Sequence, residues 1–192
     1  MLTSIYFVRH ALSPFTLDNE RERDLSEQGH ADARTVADIL RHEPIDIIVS
    51  SSYRRAAATV QPLAELLQKP ITLYDELAER AIASLKITIE EEIILEAIKR
   101  SFEDIDYCMT DGETTRAAQQ RSIPVIEKLL TAHAGQGIVI GTHGNIMSII
   151  LNHYDKRIGN DFWLQTTKPD IYKVTFEGLE YVGIERLWHK PE

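Results

Sequence analysis

The chain has 192 residues, 43% hydrophobic and 27% charged. That is enough apolar material for one folded core, in an ordinary balance that excludes disordered, collagen-like and coiled-coil classes. Lys and Arg number 21 against 30 Asp and Glu, a net charge of −9, whereas a nucleic-acid-binding surface normally shows a basic excess. Of that charge, −8 falls between Asp75 and Glu113, which hold 12 acids and 4 bases. Apolar runs such as Ile5 to Val8 fall far short of the ~20 residues of a membrane span. No signal-peptide pattern opens the chain, and the single cysteine, Cys108, permits no internal disulfide. A cytoplasmic protein with neither nucleic-acid nor membrane partners is expected.

Ser4 to Arg9, β-branched and aromatic, predicts a short buried strand. Ser26 suits an N-cap, and Ala33, Val36, Ala37 and Leu40 after it form a helical stripe. Asp46 to Ser50 predicts a second strand and Tyr53 to Gln68 a second helix, kinked or started late by Pro62. Ile71 to Tyr74 predicts a third strand. Helices follow over 89–102 and 113–130, the latter kinked at Pro124. Ile138 to Thr142 is apolar on both faces, as a buried parallel strand is, and Gly144 to His153 is helical. Ile171 to Phe176 and Tyr181 to Leu187 flank Glu177-Gly178 and predict a hairpin. The alternation implies an α/β protein: a three-layer α/β/α sandwich whose mostly parallel central sheet carries an antiparallel edge strand. No linker divides the chain, so residues 1–192 read as one domain, with 75–113 an inserted acidic segment able to cover a site. The hairpin edge leaves a homodimer possible.

Ligands of open α/β sheets bind at the carboxyl ends of the strands. There the sequence delivers Arg9-His10, Ser50-Ser51 with Arg54-Arg55, Glu79-Arg80 and Thr142-His143-Gly144. Arginine forks match phosphate oxygens, imidazole can act as a nucleophile or donor, and a carboxyl group can protonate a leaving oxygen. A phosphate-bearing small molecule is the implied substrate.

These residues resemble the histidine phosphatase superfamily, the phosphoglycerate mutase-like fold. Tyr6-Phe7-Val8-Arg9-His10-Ala11 is similar to its Arg-His-Gly strand, and Leu25-Ser26-Glu27-Gln28-Gly29 to its Leu-Thr-x-x-Gly element. Ser50-Ser51-Ser52-Tyr53-Arg54-Arg55-Ala56 with Thr59 is similar to its Ser-Ser-Pro-Leu-x-Arg-Ala…Thr helix start. Leu77-Ala78-Glu79-Arg80, Asp111-Gly112-Glu113-Thr114 and Thr142-His143-Gly144 follow in the family's order. Ala11 replaces the usual Gly, and Ser52 stands where Pro is common. The resemblance implies a phosphohistidine on His10, Glu79 as proton donor and later as base toward water, and Arg9, Arg55 and His143 around the transferring group. It also puts Thr16 where the family often has a phosphate-binding Asn; Gly144 and Arg80 are further candidate phosphate contacts, with a solvated Arg80 the equal alternative.

The bland reading of a His at a strand end is structural, and that of Arg55 a helix-start salt bridge; the ordered motifs outweigh both. Glu76 and Asp75 rival Glu79, while Arg54 and His30, His42, His133, His153 and His189 read as surface or packing residues. Rival chemistries fail on spacing. Six residues after Cys108 stands Thr114 rather than the Arg of a cysteine phosphatase, and there is no nucleotide P-loop and no Gly-x-Ser-x-Gly elbow. No metal site is indicated, so neither metal nor cofactor is expected. The acidic insertion should face away from the site or discourage highly anionic substrates. The first alternative is a phosphoglycerate mutase, which the acidic insertion disfavours; the second is a non-catalytic phosphate-binding or regulatory module on the same fold.

Overall fold

The computed structural model describes residues 1–15, 19–83 and 89–189. Six strands and six helices are assigned within them: β1 (Leu2–Arg9), α1 (Glu27–Leu40), β2 (Ile47–Ser51), α2 (Arg54–Leu67), β3 (Ile71–Tyr74), α3 (Glu91–Glu103), α4 (Thr115–Ala132), β4 (Gly137–Thr142), α5 (Gly144–Tyr154), α6 (Asn160–Gln165), β5 (Asp170–Glu177) and β6 (Glu180–Arg186). A short 3₁₀ turn, Asp75–Leu77, follows β3.

The strands form one sheet in the order β3-β2-β4-β1-β5-β6. The first four run parallel, β5 runs against β1, and β6 runs against β5. The strand opposed to the parallel set is therefore β5, one position in from the edge, with β6 outermost. Period-2 alternation divides β1 between two cores. Ile5 and Phe7 join the apolar side chains of α4 and α5 on one face. Tyr6 and Val8 join those of α1 and α2 on the other. This is the α/β/α arrangement the alternation of elements implies.

Local signals explain most boundaries. The Ser26 hydroxyl accepts the Gly29 amide at 3.0 Å and caps α1. Thr114 likewise accepts from the Ala117 amide at 3.0 Å, so α4 begins two residues after the expected Glu113. Pro62 and Pro124 lie inside α2 and α4 without dividing them. Each removes one amide donor, which the buried stripes of these long helices outweigh. The sequence reading missed α6, a six-residue helix with no fully buried side chain and hence no apolar stripe.

Among the described residues, no helix is long and apolar enough to cross a membrane. Three acids of the 75–113 segment are ion-paired: Asp75 with Arg21 at 2.5 Å, Asp106 with Arg116 at 2.6 Å and Glu113 with Arg121 at 2.7 Å.

Candidate active site

Sheet order brings the two histidines together. β1 and β4 are parallel neighbours with Arg9 opposite Thr142, and the His10 amide donates to the Thr142 carbonyl at 2.9 Å. The residues just beyond both strand ends are thus side by side. The rings of His10 and His143 meet edge-on with centroids 5.3 Å apart, and both are buried. On the other flank of β4, the end of β2 sets the Ser51 hydroxyl 2.8 Å from His143 Nε2.

The His10 contact fixes its tautomer, and the Ser51 contact permits a complementary one for His143. His10 Nδ1 lies 2.7 Å from the Ala11 carbonyl oxygen, an acceptor only, so Nδ1 carries the proton and Nε2 keeps its lone pair. Ser51 Oγ accepts from the Tyr53 amide at 3.2 Å, and its own proton can go to His143 Nε2, leaving the proton of that ring on Nδ1. Burial, with the nearby Arg55 charge, drives the His10 pKa well below its ordinary value; for His143 the causes are burial and then His10 and Arg55. Both rings are neutral at pH 7.

A hydroxyl knits the His10 loop to α2. Thr59 Oγ1 accepts from the Ala11 amide at 3.0 Å and donates to the Arg55 carbonyl at 2.7 Å. Gly29 completes the seating, because a Cβ there would stand 2.2 Å from the Leu12 carbonyl oxygen. Arg55, 1% exposed, donates from Nη1 to the Glu20 carbonyl and from Nη2 to Glu20 Oε1, both at 2.7 Å. Glu20 also holds Arg23, at 2.6 Å from Nε. Arg9 bonds the Thr166 carbonyl through Nη1 at 3.0 Å and lies flat on Gly144, where a Cβ would come within 2.7 Å of Arg9 Cζ. Any larger residue at 144 would push this guanidinium away.

Glu79 sits at the start of α5. Its carboxylate accepts from the Ile146 amide at 2.8 Å, the Asn145 amide at 3.1 Å and its neighbour Arg80's amide at 2.9 Å. A helix N-terminus offers such unpaired donors and favours negative charge. Its rival Asp75 is instead exposed, held by Arg21 and the Ser52 hydroxyl.

Desolvation lowers the pKa values of Arg9, Arg55 and Arg80. Among the described residues, Arg9 Nε, Arg55 Nε, Arg80 Nε and His143 Nδ1 are buried without a hydrogen-bond partner. Such donors fit an oxyanion, since a bound anion would supply the acceptors and offset the desolvated charge.

The expected residues thus divide. Arg9, His10, Arg55, Glu79, His143 and Gly144 surround one locus. Arg80 is buried with Nη1 3.3 Å from Thr115 Oγ1, directed toward the start of α4. Thr16 lies outside the described residues. The sequence reading missed four neighbours: Glu20, Arg23, Tyr53 and Lys168. Tyr53 packs edge-on against His143 at 5.2 Å and under the Arg55 guanidinium at 4.9 Å; its place just after β2 was the available signal. Among the described residues, no three His, Cys, Asp or Glu side chains are grouped to hold a metal ion.

The neutral histidines make a testable stability prediction. Their folded pKa values lie below the unfolded value of about 6.5, so below that pH the unfolded chain binds protons the native chain does not. Stability therefore falls as pH drops through 6.5 toward the folded values, with a slope approaching about 1.4 kcal/mol per pH unit for each histidine involved. His153 contributes in the same direction. Urea midpoints taken from pH 7.5 to 5 should decline, less steeply in His143→Asn. A flat profile would contradict the assigned neutrality.

A mostly parallel α/β sheet thus carries two buried histidines, the arginines Arg9 and Arg55 and a carboxylate at its carboxyl edge, a set of groups that suits an oxyanion. The family model of the histidine phosphatase superfamily (branch 1) matches residues 5–182, and the chain belongs to that superfamily. It is 25% identical over 171 residues to the uncharacterized phosphatase PhoE of Bacillus subtilis (strain 168), covering 87% of this chain and 83% of the relative. Its fold is similar to that of the mycobacterial glucosyl-3-phosphoglycerate phosphatase solved with inorganic phosphate, at a TM-score of 0.76 and 18% identity over 95% of this chain and 94% of the other. Bacillus stearothermophilus YhfR gives a TM-score of 0.75 at 19% identity, over 94% of both chains.

Proposed function

We propose that the chain is a phosphomonoester hydrolase acting through a phosphohistidine on His10. The observation that carries this reading is the buried pair of neutral imidazoles, 5.3 Å apart, with the His10 tautomer fixed to leave Nε2 nucleophilic. Nε2 attacks phosphorus while the bond to the ester oxygen breaks, and Glu79 gives that oxygen its proton. Water then attacks the same phosphorus, Glu79 takes a proton from it, and the P–N bond breaks to release phosphate and neutral His10. Phosphoryl transfer demands mainly in-line positioning and stabilisation of the equatorial oxygens. Arg9 Nε, Arg55 Nε and His143 Nδ1 supply three desolvated donors for three such oxygens. The substrate is a small phosphorylated molecule, and no cofactor enters the scheme. The whole chain is read as one domain in which residues 75–113 flank the site.

The test varies the leaving group. Aryl and alkyl phosphates should both be hydrolysed, and Glu79→Gln should slow an alkyl phosphate at least about 10²-fold while slowing p-nitrophenyl phosphate much less, since nitrophenolate departs without a proton. Equal losses on both would remove Glu79 from the role of acid. Absence of hydrolysis by the unmodified protein across the series would remove the phosphatase reading.

A further inference from the structure

The loop between α6 and β5 reaches the site from outside the family-like motifs. Because β5 opposes β1, the start of β5 lies at the carboxyl end of β1, with Asp170 paired to Arg9. Asp170, fully buried, accepts from Arg186 Nε at 2.9 Å, Arg186 Nη2 at 2.7 Å and the Thr167 amide at 2.9 Å. The Thr167 hydroxyl donates to the Pro169 carbonyl at 2.6 Å. At the other end of the loop, Thr166 takes Arg9 Nη1. Residues 166–169 are therefore braced at both ends, by the ion pair of the buried Asp170 with the surface Arg186 and by a site arginine.

Lys168 projects from this brace. Its residue surface is exposed, yet its ammonium is partly desolvated and stands close enough to Arg9 and Arg23 for their charges to lower its pKa. Its charge is in turn felt at His10. Among the described residues, no carboxylate pairs with it, whereas Arg23 and Arg55 share Glu20. Arg9 and Arg55 already match the two charges of a phosphoryl group, and three buried donors match its oxygens. With no ion pair holding it among the described residues, the Lys168 ammonium is available to a further anionic group beside the site.

We propose that Lys168 is a specificity-determining residue, held by the braced 166–169 loop to recognise a second anionic group, carboxylate or phosphate, that the substrate carries near its esterified oxygen. The proposal rests on the phosphatase reading for the place of the phosphoryl group.

The experiment compares two pairs of probes by calorimetry, in the His10→Ala background so that turnover does not intervene. The pairs are 2-phosphoglycolate against 2-hydroxyethyl phosphate, and propane-1,3-diol bisphosphate against 3-hydroxypropyl phosphate. In at least one pair the member with two anionic groups should bind about tenfold tighter or more, as a charge-assisted contact implies; the pair showing it names the anion. Lys168→Met should bring that ratio close to one and Lys168→Arg should keep it. A ratio near one with Lys168 intact, a ratio unchanged in Lys168→Met, or an equal loss on both members of a pair would overturn the proposal. The equal loss would assign Lys168 to the transferring phosphoryl group instead. Because the readout is binding, a chain that failed to hydrolyse p-nitrophenyl phosphate would lose the phosphatase reading while this ratio still judged Lys168.

Discussion

His10→Ala should lower kcat/KM for p-nitrophenyl phosphate by at least about a thousandfold, because the reaction loses its nucleophile and not merely one contact. The side chain is small and its single hydrogen bond runs to the adjacent carbonyl, so stability should change much less than turnover. The same protein should lose a second signature. Quenched during turnover, the unmodified chain should carry phosphate that acid releases and alkali does not, as a phosphoramidate does, and His10→Ala should carry none. Activity within tenfold of the unmodified chain, or an acid-stable phosphoester, would assign the attack to another group. His143 is the informative comparison. It is equally buried and also neutral, but its Nε2 is committed to Ser51 and only Nδ1–H faces a partnerless position, so it donates rather than attacks. Its replacement should slow turnover without transferring the phosphohistidine to another site.

The legible part of this site was the part that sits on parallel strands. Arg9-His10, Arg55, Glu79 and Thr142-His143-Gly144 each follow a strand with a clear apolar signature, and the rule that parallel sheets bind ligands at their carboxyl edge applies to them directly. Their mutual distances were not legible, because they depend on β4 inserting between β1 and β2, a pairing across more than a hundred residues. Lys168 escaped for a related reason. The hairpin was visible, but its docking against β1 was not. For a strand running antiparallel to the set, the start and not the end lies at the ligand edge, and reversing the rule for β5 would have pointed to residues 166–169. Glu20 and Arg23 escaped because loop positions carry no periodicity. The ion pairs that seat them on Arg55 arise from the folded path alone. Six-residue α6 left no stripe to read.

Arg55→Met should separate activity from stability more sharply than any other change at this site. Arg55 is the largest of the fully buried side chains, so a structural account predicts collapse on its removal. The surrounding charges argue otherwise. Burial lowers its pKa, Glu20 raises it and Arg23 lowers it again, so Arg55 is a desolvated cation whose partner carboxylate is shared with Arg23. Methionine fills much of the same volume without that charge; replacing a whole buried ion pair by apolar groups is often close to neutral, and removing one partner is costly only where the other is left without a counter-charge. Glu20 keeps Arg23 at 2.6 Å and 3.2 Å, so its carboxylate is not left unpaired; the lost bond to the Glu20 carbonyl costs about 1 kcal/mol. Urea unfolding should therefore shift by no more than about 1–2 kcal/mol. Turnover should fall about 10²- to 10³-fold, the usual effect of deleting one donor to a developing oxyanion. Arg55→Lys should recover only part of that loss, since an ammonium keeps the charge but not the fork that spans Glu20 and an equatorial oxygen together. Turnover within tenfold of the unmodified chain in Arg55→Met, or full recovery by lysine, would reduce Arg55 to a packing residue and move the phosphoryl charge onto Arg9 alone.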